Sequence, residues 1–486
     1  MVTVAAMRVA TVAGANCLRD DSEGSDPSSL WERLFVVTTT FLFFFDFSSF
    51  SHRLSPTSDG QMCWPHWQSC RILPLPDGFP SSYANSYLFT AVFGVCLLTL
   101  WAVFRNKAKI YLPALAVLTA FKIFYHYFWH VTGMQNFEYF HLVPTLAFLI
   151  NSKNRIWGAQ VAWALCYFLA SAVKISEAWL VGSYFSALSQ GLPLMPNFSI
   201  PFVTQSLILF EIFASWALLT SKYRKRAFWA WTFFHVYSVI LVGFHYPVRC
   251  IAMLWILFLP LIHPQVFSRE YQSKPKALNG VMLLFAGVLV GMQMLPFLYE
   301  EDARSSLRFE GYGYNMFDAN FQCFGKITVH KALGPPRVFS YVNQNSRFRC
   351  NPRLFLEKVH QRCENSPGSR VALELTKSIN GGPFYRIVDL ADACHVQFSL
   401  FGENDWILSD TARLIGYPTM NAVTGTLSQD PVSHSIVSAK PVIFLTDLQQ
   451  FIQDNLRFFK LFYLLIWFGA LGWTVRRVWY VGLKNK

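Results

Sequence analysis

Lys174 stands at the end of an otherwise apolar run, CYFLASAV, within the stretch ASAVKISEAWLVGSY (170–184). A charge inside an apolar segment is costly, so a residue there has either a partner or a task. Two readings compete. In one, Lys174 lies near a membrane face, snorkels toward water and pairs with Glu177 one helical turn on, or with Glu211 of the next apolar segment. In the other, the lysine is stripped of water and its neutral amine takes a proton from a bound substrate. The histidines give less. His126 and His130 have the four-residue spacing of two metal ligands on one helix face, but no carboxylate or cysteine completes a site within that segment. KIFYHYFWH (122–130) instead reads as an aromatic belt at a membrane interface, and no metal is expected. His235 and His245, ten apart on one expected helix, read as separate packing or hydrogen-bonding residues.

The elements that must hold these residues are membrane helices. The chain has 486 residues, 53% apolar and 17% aromatic, with only 14% charged, which is too apolar for a soluble enzyme of this length. Apolar segments of membrane-spanning length occur at about 34–50, 86–104, 110–128, 138–150, 156–175, 203–219, 228–245, 250–266, 278–298 and 457–475. The expected fold is therefore mainly α: a polytopic transmembrane bundle of about nine helices plus one, with a β-rich extramembrane domain before the last. The divisions are a cytoplasmic segment 1–33, a bundle 34–298, a far-side domain 299–456, a C-terminal helix 457–475 and a basic tail 476–486.

The loops orient the bundle. The segments 105–109, 151–155, 221–226, 268–276 and 476–486 hold 16 Lys and Arg, against 3 in the alternate set 51–85, 129–137, 176–202 and 246–249. That asymmetry places both termini in the cytoplasm and residues 299–456 on the far side. It also accounts for the net charge of +13 without nucleic acid as a partner, since the basic residues are juxtamembrane. No secretory signal peptide is evident, and the first membrane helix is expected to direct insertion. Residues 1–19, free of acids and carrying Arg8 and Arg19, also fit an organellar presequence.

Cys17 falls on the cytoplasmic side, and Cys96, Cys166 and Cys250 fall in apolar segments. Cys63, Cys70, Cys323, Cys350, Cys363 and Cys394 all fall on the far side, where an oxidising compartment would pair them in any of fifteen ways. The sequon Asn197-Phe198-Ser199 lies there too and marks Asn197 for glycosylation. Within the far-side domain, KITVH, RVFSYV, RVALELTKSI and FYRIVDL read as strands separated by GPP, NSPGS and NGGP turns. NPRLFLEKVHQRCE reads as one amphipathic helix with Leu354, Phe355, Val359 and Cys363 near one face. A small β-rich sandwich with a helix is expected.

An ordered set of segments resembles the vitamin K-dependent γ-glutamyl carboxylases and their wider superfamily of membrane domains, which includes the lipase maturation factors. FLASAVKISEAWLVG (168–182) is similar to the helix bearing the family's lysine and tryptophan. SLWERLFVVTTTFLFFFDF (29–47) is similar to its first helix with a closing Asp, here Asp46. SCRILPLPDGF (69–79) resembles its Cys-Arg segment, with Cys70 at a disulfide cysteine, and FFHVYS (233–238) its Phe-His helix. LRFEGYGYNMF (307–317), SINGGPFYRIVDLADAC (378–394) and NDWIL (404–408) resemble its far-side motifs. The resemblance spans most of residues 30–410.

What the resemblance implies is chemistry within the membrane. A lysine base deprotonates vitamin K hydroquinone, oxygen adds, and the resulting alkoxide removes a γ-proton from a substrate glutamate, which then takes up carbon dioxide as the quinone becomes the epoxide. Lys174 would be the base, with His235 a further catalytic residue, and Trp179, its family companion, would bind the cofactor together with Asn136 and Ser238. Two positions depart from the pattern. Phe137 stands where the family has the His of an Asn-His pair, and Ser238 where it has an Asn. Phenylalanine neither donates nor accepts a proton. His141, one turn further along the same helix, is the candidate substitute.

These departures order the expectations. The first is a catalytically diverged member acting as an accessory or structural subunit of a membrane assembly and holding a quinone or lipid. The second is an active carboxylase-epoxidase acting on a secreted glutamate-containing substrate, and the third a maturation factor for secreted proteins. The expected location is an endoplasmic reticulum-like endomembrane, with the mitochondrial inner membrane as the alternative.

Overall fold

A computed structural model describes residues 28–51, 81–124, 136–152, 154–182, 192, 194–242, 244–263, 280–295, 321–331, 333–343, 351–379, 384–399, 404–408, 415–417 and 447–484. His126, His130, Cys17, Cys63, Cys70, Cys350 and the 307–317 segment lie outside them, as do the side chains of Asn136, Phe137, Glu177 and Asn197. The chain is mainly helical, with one small antiparallel sheet. The helices of the first region are α1 (Ser28–Ser51), α2 (Ser81–Phe104), α3 (Ala108–Phe124), α4 (Asn136–Ile150), α5 (Arg155–Val173), the single turn α6 (Glu177–Leu180), α7 (Ile200–Ala217), α8 (Arg224–Val242), α9 (His245–Ile262) and α10 (Gly280–Met294).

Among the described residues three helices are long and apolar enough to cross a membrane: Arg155–Val173, Ile200–Ala217 and Leu456–Arg476 of the last helix. The apolar parts of α2, α4, α9 and α10 are shorter. The share of the apolar window buried against protein falls from 89% in the first of the three to 44% and 22% in the others. α5 is thus the axis of the region and the last helix its periphery. α5 can occupy the axis because it is apolar around its whole circumference. α4, α7 and α10 pack around it, α9 packs on α4, α1 and α8, and α2 and α3 pair with each other and with α1. The outward surface is apolar as well, with Phe41, Phe93, Trp101, Phe233, Ile240 and Leu284 all exposed. The buried interior, by contrast, contains Asp46, Lys122, His141, Lys174, Glu211, His235 and Arg249.

One sequence boundary is corrected. His235 and His245 do not share a helix: α8 ends at Val242 and α9 begins at His245. Hydropathy sets the end of that segment at residue 245, whereas the helix ends three residues earlier.

The second region contains β1 (Phe321–His330), β2 (Arg337–Asn343), α11 (Pro352–Glu364), β3 (Arg370–Ile379), β4 (Phe384–Leu390) and β5 (Ile415–Tyr417), followed by α12 (Asp447–Asp454) and α13 (Leu456–Lys484). The four anticipated strands and the helix form where their patterns put them, with Asn351 Oδ1 capping α11 by accepting from the Arg353 amide at 3.0 Å. Among the described residues the expected sandwich does not appear. All five strands make one antiparallel sheet, ordered β2-β1-β3-β4-β5, and α11 covers one face in place of a second sheet. Phe355, Leu356 and Val359 of α11 are buried with Ile327, Val329, Val371, Leu373 and Leu375. Gly325 makes room for this contact, since a Cβ there would stand 2.2 Å from Phe355 Cε1. The register sets Lys326 opposite Glu374 and Thr328 opposite Ala372 on the other face, which is polar enough to need no apolar cover.

Cys363, at the end of α11, is disulfide-bonded to Cys394 beyond β4. Cys323 is disulfide-bonded too, to a partner outside the described residues. The last helix also differs from its expected bounds, because α13 runs unbroken from Leu456 through the basic residues to Lys484.

Candidate functional site

Lys174 is the residue that ends α5: its amide closes on the Ser171 carbonyl at 3.1 Å as the helix gives way to the α6 turn. Its side chain is directed into the bundle, 1% exposed. There Nζ donates to both carboxylate oxygens of Glu211, at 2.6 Å to Oε1 and 2.5 Å to Oε2. Glu211 is fully buried midway along α7. The α6 turn brings Trp179 up beside the pair, with its ring centroid 5.3 Å from Lys174 Nζ, a cation over an aromatic face. Of the two partners that spacing allowed, the structure thus supplies Glu211. An ammonium held between two carboxylate oxygens is a donor at rest and offers no lone pair to an incoming proton.

His235 of α8 meets α5 at Tyr167, seven residues before Lys174 and so near the same helix face. Its Nε2 shares a 2.5 Å hydrogen bond with the Tyr167 hydroxyl. Around this pair stands an aromatic box: Trp231 stacks on His235 at 5.9 Å, Tyr167 lies 4.0 Å from Trp231, and Trp163 lies 4.4 Å from Tyr167. The box follows from spacing, because Trp163 and Tyr167 on α5, and Trp231 and His235 on α8, are each four apart and share a face. Three buried nitrogens in it, His235 Nδ1, Trp163 Nε1 and Trp231 Nε1, have no hydrogen-bond partner among the described residues. Buried polar atoms left open in this way are uncommon and call for an explanation.

His141 does not join Lys174. Its neighbour Phe140 faces Tyr167 at 4.2 Å and Tyr246 at 5.8 Å, and one residue along a helix is a rotation of about 100°. His141 is therefore turned toward α1 and α3, where Nε2 meets Lys122 Nζ at 2.8 Å and Asp46 Oδ2 at 3.3 Å. Lys122 also donates to Asp46 Oδ2, and Arg249 reaches Asp46 Oδ1 at 2.5 Å. Asp46, Lys122, His141 and Arg249 form a second buried charge cluster, one residue from each of α1, α3, α4 and α9. Its role is visible in that geometry: a single carboxylate ties four helices together.

The other anticipated residues divide. Ser238 Oγ donates at 2.8 Å to the Phe234 carbonyl of its own helix, so its hydroxyl is used locally. Asn136 is the first residue of α4, and Asn197 opens the single 3-10 turn Asn197–Ser199. Among the described residues no group of three or more His, Cys, Asp or Glu side chains is placed to hold a metal ion. Tyr167, Lys122 and Arg249 were not singled out from the sequence. Lys122 carries the same signal as Lys174, a lone cation in an apolar run, whereas Arg249 falls in the expected 246–249 loop.

No family model matches the chain, and neither does a curated protein or a solved structure.

Proposed function

We propose that the protein is a polytopic membrane protein of the vitamin K-dependent carboxylase type, one that no longer carboxylates and acts as an accessory or structural subunit of a membrane assembly. The observation that carries this reading is the Lys174–Glu211 pair. The carboxylase reaction asks this lysine for a neutral amine, and here the side chain is committed to a carboxylate at two hydrogen bonds. Phe137 and Ser238, in place of the family's His and Asn, point the same way.

A multi-pass arrangement is supported by the apolar outward surface of the helices and by the loop asymmetry of basic residues. The Cys363–Cys394 bond fits an oxidising far side, hence an endoplasmic reticulum-like membrane with cytoplasmic termini. The aromatic box fits a retained quinone. His235 Nδ1 and the indole N–H groups of Trp163 and Trp231 suit ring oxygens, and the surrounding rings suit a planar apolar body. A bound quinone supplies two-electron redox chemistry; what these residues do is bind, orient and exclude water.

The test is an assay of the purified protein in detergent with vitamin K hydroquinone and a glutamate peptide, for wild type and Lys174→Ala. Neither is expected to form epoxide, and wild type is expected to co-purify with stable membrane partners. Epoxide formed by wild type and lost in Lys174→Ala would overturn the proposal.

A further inference from the structure

The last two helices are anchored to the Lys174 region from almost three hundred residues away in sequence. Gln449 Nε2 of α12 donates to the Val181 carbonyl at 3.0 Å. On α13 the Tyr463 hydroxyl donates to Gln205 Oε1 at 2.9 Å, and Gln205 Nε2 donates onward to the Leu180 carbonyl at 2.9 Å. Trp467 Nε1 donates to the Phe168 carbonyl at 3.1 Å, and its ring stacks on Phe168 at 4.6 Å. Gln449, Ile452, Tyr463 and Trp467 are buried, whereas Phe451, Phe458, Leu465 and Phe468 on the same two helices are exposed. The attachment is therefore one narrow stripe on otherwise exposed helices.

What the stripe holds is specific. Phe168 lies on α5 six residues before Lys174, Gln205 lies on α7 six residues before Glu211, and Leu180 and Val181 directly follow Trp179. The stripe thus spans both helices of the ion pair and the turn that brings the tryptophan to it. The turn itself is tightly seated: Gly182 has φ +76°, and a Cβ there would stand 2.9 Å from Ile200 Cγ2.

We propose that α12 and α13 form a lateral gate over the seam between α5 and α7, closing the Lys174–Trp179 region and the aromatic box that adjoins it at Tyr167 to apolar ligands that arrive from the bilayer. The inference rests on the reading that this region holds a quinone or lipid. A gate needs a closed state held by few contacts, so that it opens without unfolding the bundle. Three polar contacts and one ring stack from two peripheral helices meet that need.

The experiment uses the full chain in lipid nanodiscs, as wild type, Trp467→Leu, Tyr463→Phe and the outward-facing control Phe468→Leu. Hydrogen exchange reads the amides of residues 175–182. Quenching of tryptophan fluorescence by menadione, a small naphthoquinone, reads binding rates. Trp467→Leu is expected to speed exchange in the turn about tenfold, as for one lost buried hydrogen bond. Menadione association and dissociation should quicken together, leaving Kd within about twofold, since a gate changes rates and not the bound state. Tyr463→Phe, which removes a single hydroxyl, should act the same way more weakly, and it keeps the test open should Trp467→Leu fail to fold. Phe468→Leu should leave both readouts unchanged. Unchanged exchange in the turn overturns the gate. So does weaker menadione binding with an unchanged association rate, which is the signature of lost packing alone. Menadione that fails to bind wild type, while exchange responds as stated, overturns the ligand reading and leaves the latch standing.

Discussion

Replacing Glu211 with Gln removes the carboxylate but keeps its shape, leaving Lys174 without a counter-ion at 1% exposure. Water cannot reach the ammonium to take over the two hydrogen bonds at 2.6 and 2.5 Å. Breaking a buried pair from one side typically costs about 3–5 kcal/mol, whereas replacing both partners by apolar groups of similar volume is often neutral. Glu211→Gln should therefore lose about 4 kcal/mol, close to a thousandfold in the unfolding equilibrium. Lys174→Met/Glu211→Leu, which keeps the length of the lysine stem, should return to within about 1 kcal/mol of wild type. Equilibrium unfolding of the purified protein by SDS in mixed micelles measures both. A Glu211→Gln loss below about 1 kcal/mol, or a double variant as unstable as the single one, would refute the claim that the pair, and not some other feature of Lys174, holds α5 to α7.

The second cluster gives an ordering. Asp46→Asn leaves Lys122 and Arg249 facing each other and should destabilise more than Lys122→Met, which leaves Asp46 its arginine; the same SDS titration ranks them. In the sheet region, Gly325→Ala puts a methyl group against Phe355 and should cost about 1–3 kcal/mol, with Phe355→Leu relieving part of it. Hydrogen exchange at β3 in the full chain reads that change. Glu357 of α11 has its carboxyl raised above the usual 4.5, by burial first, with Arg353 opposing. A raised acid favours its protonated form in the fold, so the ionised group is a liability above that range which disappears as pH falls through it. Glu357→Gln should accordingly protect α11 from exchange at pH 7 relative to wild type, with the difference shrinking in acid.

The helices and strands were legible because their signals are local. α5 is a long uninterrupted apolar window, and β3, RVALELTKSI, alternates so that Val371, Leu373 and Leu375 point one way. Partners were not legible, because they depend on how helices are rotated against each other. Glu177 and Glu211 were equally good partners for Lys174 by spacing, and only the packing of α7 against α5 separates them. His141 failed as a substitute for a similar reason, since on α4 it is Phe140 that faces Tyr167. The sandwich failed because strand count and turn residues cannot say whether a helix takes the place of a second sheet. The polar face set by Lys326 and Glu374 carried that information, and it requires knowing the register first.

The ion pair also bears on whether carboxylase chemistry could persist unseen. For Lys174 to act as a base it must first give up Glu211. If separation costs the 3–5 kcal/mol typical of a buried pair, the free amine is populated at about one part in two hundred to one in several thousand. A neutral quinone brings no charge to make up for the loss, so its binding cannot by itself favour the broken pair. The carboxylases that this chain resembles carry a His where this chain has residue 137, which the resemblance implies is a second proton-handling group near the cofactor. This chain has a phenylalanine there, and its nearest replacement, His141, is engaged with Lys122 and Asp46. The two changes reinforce each other: the base is held and its helper is absent. What remains is an aromatic box with open nitrogens beside a salt bridge, an arrangement better suited to holding a ring than to turning it over.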